Sequence, residues 1–87
     1  MTWRVIYSKH AQKDAGKLAQ SNLKKKTEAL IALLKNDPFQ SPPSFEKLVG
    51  DLEGAYSRRI NIKHRLVYQV LTEERIVKVL RMWAHYE

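Results

Sequence analysis

Arginine is the residue type that asks for an explanation in this chain. Arg58 and Arg59 stand in the run Ala55-Tyr56-Ser57-Arg58-Arg59-Ile60, and Arg65 follows in His64-Arg65-Leu66-Val67-Tyr68. Both stretches carry β-branched and aromatic residues and read as strands. A guanidinium cannot give up its proton and is costly to bury without partners, so a core strand has no packing reason to hold it. These arginines are therefore expected to line an anion-binding surface. Residues suited to acid–base work stand on either side of them: Glu46 after the Pro42-Pro43 loop, and His85-Tyr86 beside the last residue, Glu87. Histidine has an ordinary pKa near neutrality and can hold and release a proton there. A lone glutamate is more often simply solvated, and a histidine next to a terminal tyrosine can be a surface residue of a fraying strand. Those two roles rest on what accompanies them.

The composition narrows the class of partner. Sixteen Lys and Arg against nine Asp and Glu leave a formal charge of +7 on 87 residues. So small a body with that excess raises the local concentration of polyanions, and nucleic acid or an acidic protein is the expected partner. The blander reading, that the charge only keeps the domain soluble, is compatible with composition. A chain of this length fits one small domain, spanning 1–87. With no cysteine there is neither a disulfide nor a thiolate nucleophile nor a Cys-based zinc site, and a reducing cytoplasm is the expected home. The apolar run Trp3-Arg4-Val5-Ile6-Tyr7 breaks at Ser8-Lys9-His10, too soon for a signal peptide or a membrane span.

The elements that must position these residues follow from periodicity. Thr2 to Tyr7 alternates and suits a strand. Ser8 is the expected N-cap of a helix from Lys9 to about Ala19, and Ser21 or Asn22 that of a second helix from Leu23 to Lys35. In the second helix Leu23, Thr27, Leu30, Ile31 and Leu34 make one apolar stripe, so the two helices are expected to form a hairpin on the sheet. Asn36-Asp37-Pro38 stops the helix. A loop then leads past Pro42-Pro43, with a short turn or strand from Lys47 to Asp51 and a tight bend at Gly54. Three strands are expected after it: Ala55 to Asn61, His64 to Leu71, and Arg75 to about Tyr86. A turn at Ile62-Lys63 would set Arg59 opposite Leu66, whereas one at Asn61-Ile62-Lys63 would set Arg59 opposite Arg65. Only the second makes a clamp without a bulge, and the sequence leaves the choice open.

The order Glu46, Ser57-Arg58-Arg59, His64-Arg65-Leu66-Val67-Tyr68 and His85-Tyr86 resembles the Txe/YoeB toxins of the RelE superfamily, small endoribonucleases of bacterial type II toxin–antitoxin pairs. The resemblance is motif-level from Phe45 to Tyr86 and a matching layout before that. It implies an α+β fold with an N-terminal strand, a two-helix hairpin and an antiparallel sheet of three to four further strands, helices on one face and the RNA site toward the other. It also implies a ribosome-dependent, metal-independent endoribonuclease acting on messenger RNA, with no cofactor. Its implied partners are an acidic antitoxin of the YefM/Axe type and the ribosome, and homodimers are seen in the family. Ribonucleic acid carries its own nucleophile, the ribose 2′-hydroxyl. An enzyme then supplies a base, an acid and fixed positive charge for the phosphorane. On the family pattern Glu46 is the base, His85 the acid, and Arg65 belongs to the catalytic set. Arg59 and Arg65 clamp phosphate oxygens, and Tyr86 orients the phosphate or stacks on a base. Relatives carry a lysine a few residues after the acidic residue. Here Val49 stands in that stretch, and Lys47 is the nearest lysine to contact phosphate. The alternative function is a catalytically inactive RNA-binding, ribosome-binding or antitoxin-bound corepressor module.

Other residues have plainer readings. Arg65 also suits a structural pair with Glu53 or Asp51, and Arg58 suits a structural or outer role better than a catalytic one. His64 reads as a turn or support residue and His10 as a solvated one. Trp3 and Trp83 read as sheet and core anchors, with Trp83 able to border the RNA site. Lys24-Lys25-Lys26 is a charge run of the kind usually solvated, with ribosomal RNA contact as the second reading.

Overall fold

Ser8 shows how closely the chain follows its local signals. In the computed structural model, which describes residues 3–48 and 54–85 and, at 84 and 85, the backbone only, its hydroxyl accepts from the Ala11 N–H at 3.1 Å and caps α1, Lys9–Ala19. The same hydroxyl donates to the Leu80 carbonyl at 2.8 Å, so the cap also fastens the helix to the sheet. Helix α2 spans Lys24–Asn36 and its N-cap position is Leu23, not Ser21 or Asn22. Ser21 is engaged in the connection instead: its hydroxyl donates to the Leu18 carbonyl and accepts from the Leu23 N–H. Thr27, Leu30, Ile31 and Leu34 form the buried stripe of α2, with Leu23 half-buried at its start. None of the described helices is long and apolar enough to cross a membrane.

Strands β1 (Arg4–Tyr7), β2 (Phe45–Lys47), β3 (Ala55–Arg59), β4 (His64–Leu71) and β5 (Ile76–His85) make one five-stranded sheet in the order β1-β5-β4-β3-β2. The sheet is mixed: β1 lies parallel to β5, and the other pairs are antiparallel. Ala11, Leu18, Leu30, Ile31 and Leu34 of the helices meet Ile60, Leu66, Tyr68, Val77, Val79 and Met82 in the core. That core occupies the helix-covered face. The expected element at Lys47–Asp51 is displaced toward the N-terminus, because β2 begins at Phe45 and takes Glu46 with it into the sheet; Asp51 lies outside the described residues. Gly54, at φ 88°, makes the bend before β3 in a conformation that favours glycine.

The turn between β3 and β4 settles the register. The Asn61 side-chain oxygen accepts from the N–H groups of Lys63 at 2.9 Å and His64 at 2.7 Å, a local bond that stabilises the three-residue form. Arg59 therefore pairs with Arg65, and Arg58 with Leu66. Between β4 and β5 the register shifts on both sides of Val67, with the extra residues on β5. Such bulges free backbone groups from the ladder. Helix α1 receives them: Leu80 gives its carbonyl to Ser8, while Met82 and Trp83 donate their N–H groups to the Asp14 carboxylate at 2.9 and 3.2 Å.

Candidate active site

Side chains alternate along a strand, so the register determines which of the candidate residues meet. Glu46 pairs with Ser57 and Arg59 with Arg65, which brings all four to the sheet face away from the helices. There Pro43, Ser44, Glu46, Ser57, Arg59 and Arg65 line a cavity of about 210 Å³. Arg65 is 7% exposed and Arg59 is exposed. The Arg65 Nη1 stands 3.6 Å from Glu46 Oε1, a loose ion pair longer than a charge-assisted hydrogen bond. Two guanidinium groups and a carboxylate around one small cavity can grip an oxyanion and place a base beside it. A larger hollow of about 540 Å³ lies between the helices and is lined mainly by apolar residues such as Leu18, Ile31 and Met82. Lys24, Lys35 and Glu28 also stand in its walls, and it holds none of the sequence candidates Glu46, Arg59 and Arg65.

Arg58 corrects the first expectation that Arg58, Arg59 and Arg65 all line the anion site, and takes instead the structural role that its plainer reading gave it. It points into the helix-covered face and is 0% exposed. Its Nε donates to the Tyr68 hydroxyl at 3.1 Å, Nη1 to the Pro43 carbonyl at 2.6 Å, and Nη2 to the carbonyls of Pro38 at 3.0 Å and Gln40 at 2.8 Å. The Tyr68 hydroxyl itself donates to the Pro38 carbonyl at 3.0 Å, and burial pushes its pKa above 10.0 while Arg58 works against that rise. The guanidinium also lies 4.8 Å over the Phe45 ring. A buried arginine is tolerated here because a loop has turned its carbonyls inward to meet it. Arg58 thereby fixes the segment that delivers Pro43, Ser44 and β2 to the cavity.

The far side of the sheet is held by Asp14, buried on α1 at 3% exposure. Its carboxylate accepts from Arg81 Nε at 2.9 Å as well as from Met82 and Trp83. Burial pushes this carboxyl up, but the Arg81 and backbone hydrogen bonds outweigh burial and hold it below 3.8. The clamp grips β5 just before His85, whose backbone pairs with His64 while Ala84 pairs with Arg65. The His64 ring packs on Trp83 with centroids 4.0 Å apart and its Nδ1 lies 3.2 Å from the Asn61 oxygen. Both observations fit the support role expected of His64 and the anchoring role of Trp83. Trp3 is likewise packed at the edge of the core.

Among the sequence candidates, then, Glu46, Arg59 and Arg65 converge, and the His85 backbone runs beside that end of β4. Lys47 does not line the cavity: it pairs with Tyr56, so alternation turns it to the face of Phe45. Tyr86, Val49, Asp51 and Glu53 lie outside the described residues; the described acidic partner of Arg65 is Glu46. Sequence reasoning missed Ser57 as a cavity residue, although its spacing of two from Arg59 places both on one face of a strand. It missed Asp14 because the partners of that carboxylate are 67 to 69 residues away in sequence.

Comparison with known proteins agrees with this architecture. The family model of the YoeB-like toxin of bacterial type II toxin–antitoxin systems matches residues 5–86. Toxin YoeB of Streptomyces coelicolor is 36% identical over 85 residues, covering 95% of this chain and 99% of that one. A YoeB/ParE toxin from Agrobacterium tumefaciens superposes with a TM-score of 0.86 at 28% identity, covering 95% of this chain and 99% of the other. The toxin of a YoeB-YefM complex from Staphylococcus aureus gives 0.79 at 32% identity, covering 99% and 100%. With the family pattern running from β1 to the end of the last strand, and the expected α+β fold in place, the chain belongs to the YoeB-like toxins of bacterial type II toxin–antitoxin systems.

Proposed function

We propose that this toxin is an endoribonuclease that cuts messenger RNA on the ribosome by general acid–base catalysis. The observation that carries the reading is the convergence of Glu46, Arg59 and Arg65 on one cavity of the sheet face away from the helices. Glu46 takes the proton of the ribose 2′-hydroxyl as that oxygen attacks the adjacent phosphorus. Arg59 and Arg65 hold the nonbridging oxygens and offset the charge of the phosphorane. The bond from phosphorus to the 5′-oxygen breaks, and His85 gives that oxygen its proton. The products are a cyclic phosphate upstream and a 5′-hydroxyl downstream. Tyr86 orients the phosphate or stacks on a base, and Lys47 contributes through its field.

In this reading the +7 charge serves association with ribosomal RNA in the cytoplasm. It also suits an acidic antitoxin, and a staphylococcal relative is seen in a YoeB-YefM complex. The test is cleavage of ribosome-bound message by wild type, Glu46→Gln and His85→Gln with circular dichroism unchanged. Each variant should lose about 10²- to 10⁴-fold in rate. Near wild-type cutting by the histidine variant would remove His85 as the acid, and a wild type that cuts nothing would end the enzymatic reading.

A further inference from the structure

Ser57 carries an unexplained atom. It stands on β3 opposite Glu46 and two residues before Arg59, and it lines their cavity. The residue is 2% exposed, and its hydroxyl has no hydrogen-bond partner among the described residues. Folded proteins rarely leave a buried hydroxyl unmet, and alanine would fill the same space without that cost. Loose packing of the strand is no explanation, since the next residue, Arg58, directs its donors to several carbonyls and a tyrosine. Nor does Glu46 take the hydroxyl, although it sits directly across the strand pair; its side chain is 58% exposed and meets Arg65 instead.

A hydroxyl at the base of a cavity walled by Arg59 and Arg65 is suited to an anionic oxygen. We infer that Ser57 is a phosphate-binding residue whose hydroxyl donates to a nonbridging oxygen of the phosphodiester held by Arg59 and Arg65. This rests on the ribonuclease reading above. The loose 3.6 Å pair of Arg65 and Glu46 parts when the phosphate offers Arg65 a forked partner. That frees the carboxylate to act as base and opens the cavity down to Ser57.

The experiment compares wild type and Ser57→Ala on ribosome-bound message with an all-oxygen cleavage site and with each phosphorothioate diastereomer, alongside thermal melts. The variant should melt at or above the wild-type temperature, being rid of an unmet polar group. It should cut the all-oxygen site about tenfold or more slowly. That penalty should largely vanish on the one diastereomer whose sulfur replaces the oxygen Ser57 meets. Equal cutting by the two proteins overturns the role of Ser57 alone, as does a penalty of the same size on all substrates. A lowered melting temperature with cleavage reduced only by the unfolded fraction shows a structural hydroxyl and also overturns it. If wild type fails to cut, the ribonuclease reading falls first and this inference with it.

Discussion

Arg58 and Arg59 share a peptide bond and serve opposite faces of the sheet. On the helix side, Arg58 is fully buried and its donors end on the carbonyls of Pro38, Gln40 and Pro43 and on the Tyr68 hydroxyl. On the other side, Arg59 and Arg65 flank a cavity in which the Glu46 carboxylate stands 3.6 Å from Arg65 and the buried Ser57 hydroxyl goes unmet among the described residues. The residue type is the same, and what differs is where the side chain stands: wrapped by a loop on one face, beside an open cavity on the other. A saturated arginine builds structure. One that borders a cavity beside a carboxylate and a hydroxyl is placed to meet a ligand.

The largest expected effect lies on the saturated side. Arg58→Met should lower the stability of the fold by about 3–5 kcal/mol, because it takes a donor from the buried Pro38 carbonyl and Tyr68 hydroxyl and from the partly buried carbonyls of Gln40 and Pro43 as well as removing the charge. For a chain of this size that approaches the whole stability. Arg59→Met, on the open side, should unfold at nearly the wild-type denaturant midpoint and lose cleavage instead. Urea unfolding of both variants measures the difference directly. Equal midpoints would break the comparison.

Lysine sharpens it. Arg65→Lys should lose about 10²-fold or more in cleavage, nearly as much as Arg65→Ala, since a forked grip on the transition state is gone while the charge remains. Arg58→Lys should fail in another way, through stability, because an ammonium on a flexible stem cannot reach Pro38, Gln40 and Pro43 together. If Arg65→Lys restores most cleavage at saturating ribosomes, Arg65 supplies field only.

The contrast also marks where the sequence stops speaking. Helix α1 was legible to the residue, Lys9–Ala19 under a Ser8 cap, because a cap is a bond across a few residues. The turn at Asn61 was legible as two alternatives, and the side-chain bonds of Asn61 chose between them. The faces of Arg58 and Arg59 were partly legible, since alternation alone separates them. What alternation cannot tell is which face the helices will cover. Nor could Glu46 be read as a strand residue, because β2 has only three residues and exists through its pairing with β3. The Asp14 clamp depends on bulges in β5, and no local pattern announces a bulge.

Asp14 gives an intermediate effect with a definite sign. Its carboxyl lies below 3.8 in the folded protein, so its contribution is fully present above that unfolded value and is lost as pH falls through the folded one. Asp14→Asn should cost about 2 kcal/mol at pH 7, since charge-assisted bonds to Arg81 and two backbone N–H groups are weakened. Half-exposed Arg81 limits the ionic share. The gap between wild type and variant should close below about pH 4, as the wild-type carboxyl protonates. Denaturation curves across pH 3 to 7 test this, and a gap independent of pH would mean that the charge of Asp14 adds nothing.

The smallest expected effect concerns the lysines that neither build the core nor line the cavity. Lys24, Lys25 and Lys26 are exposed at the start of α2, on the helix layer and therefore across the sheet from Glu46, Arg59 and Arg65. If this end of α2 docks on ribosomal RNA, each lysine that meets a phosphate releases a condensed counterion and steepens the salt dependence of binding. Replacing all of them by Gln should then flatten the slope of log affinity against log salt by about 1 for each phosphate no longer neutralised. Maximal cleavage at saturating ribosomes should scarcely change, because the sheet separates the lysines from the cavity. The change thus divides the molecule again, this time into a charge that brings the ribosome near and charges that act on the phosphate. Identical slopes for wild type and the triple variant would show the run to be a solvated helix end, and would leave long-range attraction to the rest of the +7 charge.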